Sequence, residues 1–188
     1  MKTRNTRDRD SIHRLMKHVI VQVAISALAM FSSKAQIFTI EAESGVISAP
    51  FVVTNGYVYQ PVQTIVTNGG CAIYSFTITN AGEYAIQALV KAPSPTENSF
   101  YLNMDAEPQD PDMTWDILPP TVGFQNRLVS WRGNGTSDTN QYVPKYFNLA
   151  SGTHQLIVRG RAANTQLDRL VITRRPSPPT GLRIVTTP

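Results

Sequence analysis

The chain has 188 residues, a single cysteine (Cys71) and a formal charge of +4. That length suits one domain with additional segments, and one cysteine excludes an internal disulfide, so stability must come from a packed core or a bound ion. The basic surplus sits in residues 1–35, where Lys2, Arg4, Arg7, Arg9, Arg14, Lys17 and Lys34 stand against Asp8 and Asp10; that segment is +5 and the remainder −1, which leaves no basic surface to recruit nucleic acid.

Residues 1–35 read as a leader. A basic stretch precedes an apolar run from Val19 to Phe31, broken only by Gln22 and Ser26, and Ser33-Lys34-Ala35 offers small residues where a signal peptidase reads. The run is short of the ~20 residues a spanning helix needs. The expectation is a secretory signal cut after Ala35, a secreted product and no membrane attachment after cleavage. Met16 offers an alternative start.

The body, residues 36–174, reads as strand throughout. Strands are predicted over 37–42, 51–53, 57–60, 72–79, 83–91, 99–105, 114–118, 127–131, 142–149, 154–160 and 167–173, each short and bounded by Gly, Asn or Pro clusters. Tyr84, Ile86, Ala88 and Val90 alternate on one face; Phe100, Leu102 and Met104 face one way and Tyr101, Asn103 and Asp105 the other. Asn80-Ala81-Gly82 and Ala150-Ser151-Gly152 mark tight turns, and longer loops run over 61–70, 106–113, 133–140 and 162–165. No stretch carries a helical period. Short antiparallel strands in this number predict an all-β fold, a two-sheet β-sandwich of jelly-roll type. Residues 175–188 open on a proline-rich linker and then resemble the start of a fibronectin type III segment, which reads either as the opening of a further C-terminal domain or as a short adhesive tail.

Carboxylates bracket the body. Glu41 and Glu43 stand two residues apart and share one side of the first strand, and Asp168 alternates in phase with Leu170 and Ile172, which predicts an inward-facing side chain in the last. If those strands are neighbours, three hard oxygen ligands meet, a set that suits calcium; otherwise all three are solvated strand-end charges. The acids at 105, 107, 110, 112 and 116 read as a solvated loop, since their spacing does not match an EF-hand. Cys71 reads as a small buried residue and His154 as structural. Arg159, Arg161 and Arg169 read as ordinary surface partners of the acidic loops.

The order of segments has a family look. Phe38-Thr39-Ile40-Glu41-Ala42-Glu43 is followed by Tyr74-Ser75-Phe76-Thr77-Ile78, Ala81-Gly82-Glu83-Tyr84, Asn98-Ser99-Phe100-Tyr101, Asp105 and Trp115-Asp116, and the body closes on Ser151-Gly152-Thr153-His154 and Leu167-Asp168-Arg169-Leu170. Over about residues 37–173 this resembles the carbohydrate-binding modules of families 6, 35 and 36, with a galactose-binding-like β-sandwich. The resemblance implies a structural calcium held by Glu41, Glu43 and Asp168 with backbone carbonyls. It also implies a polysaccharide or glycan partner, bound either among loops at one end of the sandwich or on the concave sheet face.

Pyranose C–H groups pack on flat rings, and amides read hydroxyls. The candidates for that work are Trp131, Tyr57, Tyr59 and Trp115, with Gln166 and Asn164 near the position where the family carries an asparagine. Trp115 alternates with Met113 and Ile117 and fits core packing equally well. The expected function is non-catalytic carbohydrate binding. The alternatives are an adhesive spacer sandwich with no sugar site and a small glycan-active hydrolase, for which no aromatic-lined acid pair stands out.

Overall fold

The computed structural model describes residues 36–132 and 143–176. The expected leader, most of the 175–188 tail and the 133–140 loop lie outside the described residues. Among the described residues the chain forms β1 (Ile37–Glu41), β2 (Val46–Ser48), β3 (Val52–Thr54), β4 (Tyr57–Tyr59), β5 (Cys71–Ile78), β6 (Gly82–Lys91), β7 (Ser99–Met104), β8 (Thr114–Asp116), β9 (Gln125–Leu128), β10 (Tyr146–Leu149), β11 (Gly152–Gly160) and β12 (Gln166–Arg174), with one 3-10 turn over Ala42–Ser44. One sheet runs β10-β6-β12-β4-β3, with β1 also on β12 and β9 also on β6; the other runs β2-β5-β11-β7-β8. Every pairing is antiparallel. The two sheets give the sandwich the alternation predicts. The predicted strands match the observed ones to within a few residues. The exception is β2, a three-residue strand too short to show a pattern, which pairs Val46 with Ile73.

The core forms between the inner faces. Tyr84, Ile86, Ala88 and Val90 of β6 and Leu167, Leu170 and Ile172 of β12 meet Tyr74, Phe76 and Ile78 of β5, Phe100 and Leu102 of β7, and Leu156 and Val158 of β11. Each large apolar side chain so buried stabilises the fold by about 1.5–3 kcal/mol. Cys71 is buried and free, as expected, and burial pushes its thiol pKa up.

Two expectations are corrected. Asp168 does not face inward. A bulge between Leu167 and Arg169 inserts it as an extra residue, so Leu167 and Leu170 both reach the core while Asp168 is only half-buried. A bulge shifts side-chain parity by one, and simple alternation cannot foresee that. The second correction concerns the acidic stretch after β7, a strand whose six residues are all buried. The segment that follows it folds back across the sheet. Glu107 accepts two hydrogen bonds from the Arg159 guanidinium (2.8 and 2.9 Å), and its backbone carbonyl faces the Asn103 amide at 3.5 Å. Arg161 lies over the Tyr101 ring at 5.9 Å and donates to Ser99 Oγ at 2.7 Å. The acidic stretch is therefore largely paired rather than merely solvated. Asp105 holds His154 at 2.6 Å and Asp116 holds Arg132 at 2.5 Å.

Candidate functional site

Gly56 and Asn55 turn the chain between β3 and β4 with positive φ (81° and 48°), and Tyr57 opens β4 immediately after. Val58 points into the core, so Tyr57 and Tyr59 both face outward, half-buried, with ring centroids 5.8 Å apart. A third ring joins them. Phe124 lies in the β8–β9 connection, 37 % exposed, with its centroid 5.6 Å from that of Tyr57 and the planes at 55°. Gly123 turns that connection at φ 73°, and the buried Thr121 pins it to Ala92 just past β6. Two rings from distant segments, both partly open to water, form a small aromatic step.

Polar groups flank the rings. Gln166 is the register partner of Tyr59 on one side and of Lys91 on the other, and its side chain has no hydrogen bond among the described residues. An amide free to exchange donors and acceptors beside a tyrosine ring can read a hydroxyl. Asn164 is otherwise engaged: its amide donates to Glu97 at 2.7 Å, and its backbone N–H donates to the Gln60 carbonyl at 2.8 Å. Gln60 is fully buried beneath this corner. Its amide donates to Val62 O and Thr64 Oγ1, both at 2.8 Å, and it accepts from the Gly70 N–H at 3.1 Å. That knot holds the 61–70 loop against β4 and steadies Tyr59.

The two tryptophans play other parts. Trp115 is 1 % exposed and packs on Phe100, so core packing is its role. Trp131 is half-buried against the core: its indole N–H donates to Leu102 O at 2.9 Å, its edge meets Phe147, and the Lys145 ammonium sits over its ring at 4.3 Å. It adjoins the 133–140 loop, which lies outside the described residues. Phe124 was missed because alternation cannot place a loop residue against a strand far away in the chain. The signal available was an aromatic residue directly after a glycine in a proline-bounded loop.

The expected calcium ligands come to one corner. Glu41 is the register partner of Arg169, Asp168 is the bulge residue beside it, and Glu43 follows in the 3-10 turn. Glu43 Oε1 lies 3.9 Å from where a Cβ on Gly56 would sit, next to the turn that launches Tyr57. Burial and, after it, the charge of Glu43 hold the Tyr74 phenol above its usual pKa, and its hydroxyl donates to Ala42 O at 2.9 Å. Yet among the described residues no group of three or more His, Cys, Asp or Glu side chains is close enough to hold a metal ion. In kind the donors suit a hard cation: carboxylates with no ion pair among the described residues, near bulge and turn carbonyls. They are not an assembled ligand set.

No family model and no curated protein sequence matches the chain. Solved structures do. The C-terminal family 6 carbohydrate-binding module of LamC, a marine laminarinase from Zobellia galactanivorans, superimposes with a TM-score of 0.52 at 16 % identity, over 74 % of this chain and 100 % of that one. A GH26-CBM35 β-(1,4)-mannanase from Podospora anserina superimposes with a TM-score of 0.53 at 10 % identity, over 77 % of this chain and 29 % of the mannanase. The fold is that of the family 6 and 35 carbohydrate-binding modules. The chain thus spans under a third of the mannanase it resembles.

Proposed function

We propose that this chain is a non-catalytic carbohydrate-binding module that holds a saccharide against Tyr57 and Phe124. The observation that carries the reading is that ring pair, 5.6 Å apart, partly open and contributed by two separate segments of a sandwich of this fold. One sugar face packs on the rings, Tyr59 extends the apolar footprint, and the Gln166 amide reads a hydroxyl beside it. The second sheet face over β7 is already covered by the protein's own side chains, which favours the ring corner over the sheet face. The neighbours named above are a laminarinase module and a mannanase, so β-glucan and mannan are the first ligands to try. Affinity gels containing laminarin or galactomannan test it: wild type is retarded on at least one polymer, and Tyr57→Ala or Phe124→Ala runs as in a blank gel. Retention of both variants at wild-type mobility would place the site elsewhere.

Calcium belongs to the same reading. Glu41, Glu43 and Asp168, with nearby carbonyls, would take the ion and tie β1 to β12 and the Gly56 turn, stabilising the folded state by ligand linkage. Melting temperatures in calcium and in chelator, for wild type and Asp168→Asn, check it; identical curves in all four samples rule the ion out. Export follows from residues 1–35, and N-terminal sequencing of the mature protein should begin at Gln36.

A further inference from the structure

One tetrapeptide, Val-Thr-Asn-Gly, occurs twice among the described residues, as Val53-Thr54-Asn55-Gly56 and as Val66-Thr67-Asn68-Gly69, and the fold treats the two copies oppositely. An asparagine before glycine is open to attack on its own side chain: the next backbone nitrogen reaches the carboxamide carbon, and glycine puts no Cβ in the way. At Asn68 both reacting groups are engaged. Its Oδ1 accepts from the Ile65 N–H at 3.0 Å, and the Gly69 N–H donates to Ile65 O at 3.0 Å. Gly69 is also buried, with no room for a Cβ against the Gly160 carbonyl, so this bend cannot swing. At Asn55 neither group is held. Asn55 and Gly56 are the exposed central residues of the β3–β4 hairpin, with φ of 48° and 81°, between the paired Thr54 and Tyr57. A two-residue turn leaves the Gly56 N–H outside the ladder, and neither it nor the Asn55 carboxamide has a hydrogen bond among the described residues. The left-handed backbone must relax before the nitrogen can reach the carboxamide. The hairpin permits this, because β3 is the sheet edge and β4 meets β12 only through Tyr59 with Gln166 and Val58 with Leu167.

We infer that Asn55 is a site of spontaneous deamidation whose isoaspartyl product moves Tyr57 off Phe124. The Gly56 nitrogen loses its proton and bonds to the Asn55 side-chain carbon; the bond from that carbon to the amide nitrogen breaks, ammonia leaves and a succinimide closes. Water then opens the ring at either carbonyl, giving aspartate or isoaspartate with a mass gain of about 1 Da and one new negative charge. Isoaspartate carries an extra methylene in the main chain, which a two-residue turn cannot absorb while Thr54 stays paired with Tyr57. The new charge arrives beside Glu43, whose Oε1 lies 3.9 Å from the Cβ position on Gly56, and like charges oppose re-formation of the turn. The modification stands on the turn alone; its effect on binding rests on the ring-corner reading above. The whole chain, held for weeks in warm, mildly alkaline buffer, is mapped by tandem mass spectrometry of its peptides. Asn55 should convert at least about tenfold faster than Asn68, a gap that urea should erase because the two share their local sequence. Asn55→Gly suits both positive-φ positions and lacks the reacting carboxamide, so its hairpin peptide should keep its mass. In the isoaspartyl fraction, separated by ion exchange, the Tyr57 and Phe124 ring resonances should shift. Retention on the polymer that holds fresh protein should fall to that of a blank gel, while aged Asn55→Gly is held as before. Equal conversion of Asn55 and Asn68 in the folded protein, or an isoaspartyl fraction whose Tyr57 ring resonances match those of fresh protein, overturns the inference. Fresh protein that binds no polymer sinks the ring site, and the mass map and ring resonances still decide the fate of Asn55.

Discussion

Thr121 and Ala92 exchange two hydrogen bonds: the Thr121 N–H donates to Ala92 O, and the Ala92 N–H donates to Thr121 Oγ1, each at 2.8 Å. Both residues are buried. This clip fixes the start of the segment that places Phe124 against Tyr57. Thr121→Val keeps the shape and removes one acceptor, leaving the Ala92 N–H unsatisfied at a cost of about 1–3 kcal/mol. Urea denaturation should show that loss. Sugar affinity should fall more than the change in folded fraction explains, because the ring is no longer held.

Phe124 and Trp131 should separate binding from stability. Phe124 is 37 % exposed, so Phe124→Ala should cost under about 1.5 kcal/mol of stability while abolishing retention on the polymer. Trp131→Ala removes a core contact and the hydrogen bond to Leu102, and should cost about 2–4 kcal/mol. Its affinity, measured on the folded fraction, should change little. A stable Trp131→Ala protein that no longer binds would return that residue to the site.

Gly160 has no room for a side chain, since a Cβ there would lie 1.7 Å from Gln60 Oε1. Gly160→Ala must therefore dislodge the buried amide that organises the 61–70 loop. Stability should drop by about 2 kcal/mol or more. Gln60→Ala removes the same hydrogen bonds, so the double variant should be far less destabilised than the sum of the singles.

Two ion pairs give stability opposite pH dependences. The hydrogen bond from His154 to Asp105, aided by the Ala150 carbonyl, raises the imidazole pKa above 6.5. That contribution is complete below 6.5 and is lost as pH rises through the higher folded value. The Arg159 hydrogen bond holds the Glu107 carboxyl below 4.5. Its contribution is present above 4.5 and is lost as pH falls through the lower folded value. Melting temperature against pH should lose its alkaline slope in His154→Gln and part of its acid slope in Glu107→Gln.

The strands and the sandwich were legible in the sequence because apolar residues alternate along β6 and β12 and turn residues punctuate them. Tyr57 and Tyr59 were legible as ring candidates for the same reason: both flank an apolar Val58. The rest depended on contacts that alternation does not encode. The bulge at Asp168 breaks the parity on which its inward orientation was predicted. The segment after β7 buries Tyr101 and Asn103 from outside, through Glu107 and the two arginines. Phe124 reaches Tyr57 only because Thr121 binds Ala92, a pairing between two loop ends with no local signature.

β12 is hydrogen-bonded to β1, β4 and β6. It is thus the middle of its sheet, although it comes last among the described strands. Ile37 cannot pair with Thr173, its register partner, until the whole stretch between them has been made. Pairings this distant in sequence are slow to form. The nascent sandwich therefore stays open along this sheet until β12 emerges, and β1, β4 and β6 then close on it together.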